Sequence, residues 1–458
     1  MRSLEHEGVT TLFGYPGGAI MPVYDALYGY KDKLNHVLVR HEQGATHAAQ
    51  GYARVSGKVG VALVTSGPGA TNTITGIADA MMDSTPIVVI AGQVGASLLG
   101  SDAFQECDLV GVTQPISKWA YQIRRPEDVA WAVSRAFYIA KSGRPGPVVL
   151  DFAKNAQVGL VDYEPQGTDF IRSYVPVPKT DPWAIRQAAA LINNAKRPFI
   201  LVGQGVELGG AQEEVRQLIE RADIPAGCTL LGLSALPSDH PLNMGMLGMH
   251  GSLANSIKTQ ECDVLIAVGM RFDDRITGKL STYARQAKKI HFEIDPSEVN
   301  KNVPVDVAVL GNCKQTLAQV LEQVKPNRHT EWIDSFGEHH EREKEAVIEP
   351  EIHPADGPIK MGEVVRKVTE MTGNKAVLVT DVGQNQMMAA RYFKFSEQRN
   401  LRRYGDDGIR ITGCHRSHIR RSGTYGMSLF RRRRYSDDTS GVGHDYGTTQ
   451  SGENHIAQ

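Results

Sequence analysis

The segment Gly60-Val-Ala-Leu-Val-Thr-Ser-Gly-Pro-Gly-Ala-Thr-Asn72 decides the fold class. Its unbroken apolar run reads as a strand covered on both faces, the Gly-Pro-Gly turn stops that strand, and helix-like sequence follows. The same grammar recurs on either side. Thr10-Thr-Leu-Phe13, His36-Val-Leu-Val39, Pro86-Ile-Val-Val-Ile-Ala91 and Gly146-Pro-Val-Val-Leu-Asp151 are further candidate strands, each leading into a Gly- or Ser-rich turn and a helical stretch. Strands that alternate with helices predict an α/β fold, a doubly wound parallel sheet with helices on both faces.

A proline-bearing linker from Asp162-Tyr-Glu-Pro165 to Pro176-Val-Pro178 closes this first unit, expected at residues 1–162. A second α/β unit, residues 179–326, opens at Asp181-Pro-Trp183, where an acidic N-cap precedes proline at the first helical position. Its strands are expected at Pro198-Phe-Ile-Leu-Val202, Val264-Leu-Ile-Ala-Val268 and Lys289-Ile-His-Phe-Glu-Ile294. A polar stretch from Glu338 to Glu345 and a loop with Pro350, Pro354 and Pro358 lead to a third unit at 358–400, with a helix near Met361 and the strand Ala376-Val-Leu-Val-Thr380. Residues 401–458 are different: rich in Arg, Gly, Ser, Thr and Tyr, they hold Arg431-Arg-Arg-Arg434 and sustain neither period. A disordered basic tail and a stretch never selected as protein both fit that description.

Fifty Lys and Arg against 51 Asp and Glu leave no global field, so nucleic acid and acidic membrane surfaces are not favoured partners. The five scattered cysteines form no C-x-x-C pair, which argues for a reducing cytoplasm and against a disulfide framework or a zinc site. Met1-Arg-Ser-Leu-Glu-His-Glu7 lacks the apolar core of a signal peptide, and no apolar run is long enough to span a bilayer.

Open α/β sheets bind ligands beyond the carboxyl ends of their strands. Three segments stand there. Gly14-Tyr-Pro-Gly-Gly-Ala19 ends a strand and opens a helix, where glycines admit a close ligand and the helix N-terminus favours an anion. His41-Glu-Gln-Gly-Ala45 puts an acid just past a strand, followed by Gly51-Tyr-Ala-Arg-Val-Ser-Gly57. The third is Thr65-Ser-Gly-Pro-Gly-Ala-Thr-Asn72. Each alone is more often a turn or a solvated acid. Three in order are hard to assign to architecture.

Extended, these segments carry a resemblance. FGYPGGAIMPVYDAL, VRHEQGATHAAQGYARVSGKVG, SGPGATN, DAFQECDLVGVTQPISK and SGRPGPVVLD resemble the N-terminal, pyrimidine-binding domain of the acetolactate synthase catalytic subunit, and GMRFDDRITGKL is similar to that family's central FAD-binding domain. The match is collinear from the first residues to about Arg399, and the family's first helix begins several residues before Met1. It implies a thiamine-diphosphate enzyme that decarboxylates pyruvate and joins the fragment to a second 2-oxoacid. The product would be 2-acetolactate or 2-aceto-2-hydroxybutyrate, made for branched-chain amino-acid synthesis in the cytoplasm. Magnesium, structural FAD, a homodimer and a small regulatory subunit are implied with it.

By the same resemblance Glu42 is the carboxyl group bonded to the aminopyrimidine, a role that burial serves by raising a carboxyl pKa. Arg275, in Arg271-Phe-Asp-Asp-Arg275, is the substrate-carboxylate arginine. Without the resemblance, an arginine held by Asp273 or Asp274 in a surface network explains it as well. Phe104, Gln105 and Lys154 are placed around the active site, although Ala153 stands where the family commonly has proline. FAD would touch Arg144, Gly205, Thr229, Leu230, Leu247, Gly248, Met249, His250, Gly269, Arg271, Asp273, Glu293, Ile294 and Asn312. From the residues alone, a Rossmann-like unit for any nucleotide is an equal reading. Gly383 and Gln384, in Asp381-Val-Gly-Gln384, would contact the thiamine phosphates.

One family element is missing. Magnesium needs oxygen ligands, which the family supplies from G-D-G and a later Asn, and no such pair follows Asp381. The genetic code suggests why. Arg431 to Thr439 can be encoded CGG CGA CGG CGG TAT TCA GAT GAC ACT, which read one nucleotide later gives GDGGIQMT, and Ser440 to Gly447 continues as LQELGTIM. Upstream, Arg402 to Arg416 permit GGMGTMGFGLPAAIG in the same frame. Two long family strings in one shifted frame point to a frameshift near Asn400, and to a chain unable to bind magnesium and thiamine diphosphate productively. Two alternatives remain: another thiamine-diphosphate enzyme, such as a pyruvate oxidase, glyoxylate carboligase or 2-oxoacid decarboxylase, or an inactive, FAD-binding remnant of this family.

Overall fold

The structure is a computed structural model that describes residues 1–374 and 376–395, and the backbone of 401–403 and 425–429. Its first sheet holds six strands: β1 (Thr11–Gly14), β2 (Asn35–Leu38), β3 (Gly60–Val64), β4 (Ile87–Gln93), β5 (Trp119–Ile123) and β6 (Val148–Ala153). Their order is β2-β1-β3-β4-β6-β5, and every pairing is parallel. β3 and β4 are buried along their whole length, as their continuous apolar runs require. β5 was not foreseen. It is a half-buried edge strand, Trp-Ala-Tyr-Gln-Ile, without an apolar run to mark it.

The helix Glu42–Ser56 begins where His41 Nδ1 accepts the Gln43 N–H and ends at Gly57 in the left-handed region, φ 71°. Its buried face is small: Ala45, Ala48, Ala49, Tyr52 and Ala53. Small residues let the helix lie close on the sheet, and a Cβ at Gly60 would sit 2.1 Å from the Ala49 carbonyl oxygen. That closeness fixes the first turn of the helix over the strand ends.

No regular element is assigned over 159–180, and helix Pro182–Asn194 then starts as expected, with the Asp181 carboxylate accepting the Trp183 N–H at 2.8 Å. The second sheet contains β7 (Pro198–Val202), β8 (Ala226–Cys228), β9 (Asn243–Met246), β10 (Val264–Val268), β11 (Lys288–Glu293) and β12 (Val307–Leu310), in the parallel order β12-β11-β10-β7-β8-β9. The three expected strands form its centre. β8, β9 and β12 are too short to show a period. The α/β, doubly wound architecture holds in both units.

The polar stretch before the third unit is helical; Pro354 and Pro358 lie in the expected loop, while Pro350 lies in a helix. Helices Thr330–Asp334, Gly337–Glu343 and Glu349–Ile352, with a π turn at Lys344–Ile348, occupy this region. Pro350 follows directly on the π turn, where the ladder of backbone bonds is already shifted. Glu343 is buried there, pairs with Arg391 and accepts the Leu253 N–H at 3.0 Å, so the stretch is stitched to its neighbours. Helix Met361–Thr372 and β13 (Ala376–Thr380) are as expected. Short strands β14 (Leu401–Arg403) and β15 (Tyr425–Leu429) flank β13 in parallel, against the expectation that no strand persists there. Residues 404–424 and 430–458, where both frame-shifted strings mainly fall, lie outside the described residues. Among the described residues, no helix is long and apolar enough to cross a membrane.

Candidate active site and central cleft

Glu42 is the first residue of its helix and is 8 % exposed. Asn72 Nδ2 donates to Glu42 Oε2 at 2.9 Å, joining the second and third motif segments. Gly69 forms one wall: a Cβ there would lie 3.2 Å from Glu42 Oε1 and 2.6 Å from Thr65 Cγ2. The first segment closes the other side, since a Cβ at Gly17 would meet Thr65 Cβ at 2.6 Å. All three segments thus converge on Thr65 and Glu42, and the Thr65 hydroxyl is buried without a hydrogen-bond partner. The Tyr24 hydroxyl donates to Leu63 O at 2.9 Å. Burial first, and then the charge of Glu42, push its pKa above the ordinary tyrosine value, so it stays neutral and keeps its proton.

Gly67, φ 55°, brings in a fourth element: a Cβ there would lie 2.8 Å from Gln105 O. Gln105 is itself left-handed, φ 60°, and it and Phe104 face outward. Lys154 starts the helix Lys154–Val158 at the carboxyl end of β6, exposed, with its N–H donating to Val94 O at 3.4 Å. Glu42 and Gln105 are therefore gathered through the Gly-Pro-Gly turn, and Lys154 stands on the neighbouring strand end. Arg275 is elsewhere. Its side chain is 70 % exposed, 3.9 Å from Asp274 and 3.7 Å from Met249 Sδ, and none of the contacts among the described residues joins it to Glu42.

A cleft open to solvent lies between the first and second units. Arg144, Gly205, Thr229, Leu230, Gly269, Arg271, Asp273, Glu293, Ile294 and Asn312 line it, with Arg275 at the same wall. Those of the second unit come from the carboxyl ends of its strands, as the parallel sheet dictates, while Arg144 comes from the loop before β6. Gly205 and Gly269 make its tightest point, where a Cβ on either would fall 2.6 Å from the other's Cα. Asp273 caps the turn Asp274–Thr277 by accepting the Arg275 and Ile276 N–H groups, and Asn312 caps helix Cys313–Leu321 through the Lys314 N–H. Glu293 Oε1 accepts the Ile294 N–H at 2.8 Å. Arg144 reaches across from the first unit, donating to Ser84 Oγ at 2.9 Å, Asp295 Oδ2 at 3.1 Å and Glu298 Oε1 at 2.9 Å.

Leu247, Gly248, Met249 and His250 are not part of this lining. Leu247 is buried in the second unit's core, Met249 and His250 are exposed, and the Met249 N–H donates to Arg275 O at 2.8 Å, which sets the segment beside the rim. Sequence reasoning missed Asp83, Ser84 and Gln204. Asp83-Ser-Thr-Pro86 reads only as a turn, yet Gln204 Nε2 donates to Asp83 O at 3.1 Å and draws it into the cleft wall. In the third unit, Gly383, φ 125°, is the N-cap of helix Gln384–Tyr392 at the carboxyl end of β13. Among the described residues, no group of three His, Cys, Asp or Glu could hold a metal ion.

Two parallel-sheet units with a buried glutamate at a glycine-walled strand end define a class, and family models agree on it. "Thiamine pyrophosphate enzyme, N-terminal TPP binding domain" matches residues 1–112, and "Thiamine pyrophosphate enzyme, central domain" matches 185–320. The chain is 44% identical over 416 residues to a probable acetolactate synthase large subunit of Methanocaldococcus jannaschii, covering 88% of this chain and 69% of that protein. It is 44% identical to an acetolactate synthase of Mycobacterium bovis, covering 87% of this chain and 65% of the relative. With the acetolactate synthase large subunit of Parasynechococcus marenigrum it shares 45%, covering 86% and 64%. The chain belongs to the acetolactate synthase large-subunit family, and it spans about two thirds of the length of these relatives.

Proposed function

We propose that this chain carries the substrate-facing scaffold of an acetolactate synthase, with Glu42 at the aminopyrimidine end of thiamine diphosphate. The observation that carries the reading is the Glu42 slot: a buried carboxyl group with one oxygen held by Asn72 and the other facing a wall where even a methyl group would collide. With no side chain at Gly69, the Glu42 carboxyl keeps the clearance that a Cβ would take. Bound there, thiamine diphosphate supplies the carbon nucleophile for decarboxylation of pyruvate and its addition to a second 2-oxoacid. Glu42 holds and moves a proton at the ring nitrogen, and the Asn72 bond fixes its geometry. Gln105 and Lys154 orient the second 2-oxoacid, and Arg275 clamps a carboxylate.

FAD is the ligand read for the central cleft, where Arg271 lines the wall as a cation for a diphosphate. Among the described residues, no group of three His, Cys, Asp or Glu stands ready to hold magnesium. The shifted-frame strings supply that ligand set, and they are the support for a frameshift near Asn400 that leaves the chain as it stands without carboligation. Met21, Leu38 and Phe104 are 63, 65 and 88 % exposed near the strand ends. That apolar rim supports a homodimer in which another copy's third unit covers Glu42. The relatives' name, large subunit, supports a small regulatory partner, and the scattered cysteines without a C-x-x-C pair support a reducing, cytoplasmic location.

Flavin retention tests the cleft reading. The purified chain should hold FAD at about one per chain and lose it when Arg271 becomes Ala. A chain that takes up no FAD from a saturating solution overturns the cleft assignment.

A further inference from the structure

Asp151 is wholly buried in β6. Two glutamine amides explain why a carboxyl group is tolerated there. Gln122 stands directly opposite on β5, and Gln93 lies diagonally on β4, two residues past Ala91, the partner of Asp151. Both donate to Oδ2, at 2.7 and 3.2 Å, while Oδ1 is buried with no hydrogen-bond partner. Burial pushes the Asp151 pKa up to about 6 against these two bonds; Asp108 raises it further and Arg124 lowers it. An apolar side chain would fill this place at less cost. The carboxylate therefore does something that packing does not.

What it does is orient Gln93. A carboxylate only accepts, so it draws the donor end of the Gln93 amide towards itself. The same Nε2 then donates to Cys107 O at 2.8 Å, and Oε1 accepts the Val94 N–H at 2.9 Å. Cys107 ends the loop that carries Gln105. Within that loop the Glu106 carboxylate accepts the Gly100 and Ala103 N–H groups, and Asp108 caps the next helix through the Gly111 N–H. The loop is thus internally braced, and the described bond that ties it to the sheet at Cys107 comes from Gln93.

We propose that Asp151 is a positioning residue: through Gln93 its carboxylate anchors loop 101–108 and so sets Gln105 against the Gly67 turn beside Glu42. Its value for catalysis rests on the active-site reading above, but the tether can be tested without turnover. Cys107 is the reporter, being partly exposed while Cys228, Cys262 and Cys313 are buried. The charged and titratable groups facing the network are Asp108, Arg124 and the Cys107 thiol itself.

The experiment is maleimide labelling of Cys107 in the full chain with Cys414→Ser as background, at pH about 7.5. Gln93→Met and Asp151→Leu should label about tenfold faster, because releasing one such hydrogen bond shifts the local opening equilibrium by that order. Asp151→Asn keeps an acceptor oxygen for Gln93 and should stay within about twofold of the parent. Gln93→Met leaves Asp151 bonded to Gln122, so it reports even where Asp151→Leu does not fold. The proposal is overturned if Gln93→Met melts cooperatively and labels at the parent rate, or if Asp151→Asn labels as fast as Gln93→Met. Labelling is read without thiamine or substrate, so neither result depends on the active-site reading.

Discussion

The cleft floor offers a sharp energetic test, the substitution Gly269→Ala. Gly269 has φ 59°, where an L side chain costs roughly 1–2 kcal/mol. Its new methyl group would lie 2.6 Å from Gly205 Cα, 2.8 Å from Gly205 C and 2.9 Å from Val206 N. All three are backbone atoms, so relief requires a shift of the chain rather than a rotamer change, costing about 1–3 kcal/mol more. Alanine returns roughly 0.4–1 kcal/mol by restricting the unfolded chain. The net loss is about 1–5 kcal/mol. Gly210 is the control, with φ 63° and nothing within 4 Å of its would-be Cβ, so Gly210→Ala should cost only about 1 kcal/mol. Urea unfolding of the two variants measures the difference, and titration of flavin fluorescence measures the site. Gly269→Ala should lose at least about tenfold in flavin affinity, while Gly210→Ala binds as the parent does. Equal unfolding midpoints and equal affinities would refute the claim that this glycine pair shapes the cleft.

Other outcomes follow from the same geometry. Arg144→Ala removes two ion pairs between the first and second units and the Ser84 bond within the first; allowing for partial exposure it should destabilise by about 1–3 kcal/mol, read as a lower urea midpoint. In a chain with its third unit restored, Glu42→Gln should lower carboligation by about 10²–10⁴-fold with the melting temperature nearly unchanged. Asp151 predicts a pH signature. Its folded pKa, about 6, lies above its ordinary 3.8, so its contribution is fully present below pH 3.8 and is lost as pH rises through about 6. Asp151→Asn should lack that loss, gaining on the parent by up to about 3 kcal/mol between those limits, measured by urea unfolding across pH.

Legibility followed the physics of each element. Fully buried strands such as β3 and β4 announce themselves as apolar runs, and the parallel order follows from their alternation with helices. β5 carries Trp119, Tyr121 and Gln122 on a half-buried edge, and β8 has three residues, so neither leaves a pattern. Pro350 read as a loop because sequence does not show the π turn that it follows. At the site, motif order located Glu42, Asn72 and the glycine wall, since each sits at a strand end. Asp83, Ser84 and Gln204 were silent because they act by contact between units. Asp151 was read only as the end of a strand; its partners Gln93 and Gln122 become neighbours through strand pairing alone.

Thiamine-diphosphate-dependent acetolactate formation from pyruvate should be compared between this chain and a re-read chain, taken in the shifted frame from residue 401 and carried on to the relatives' full length. The account predicts acetolactate from the re-read chain and none from the chain as it stands. Acetaldehyde as the sole product of the re-read chain, or acetolactate from the unaltered chain, would contradict it.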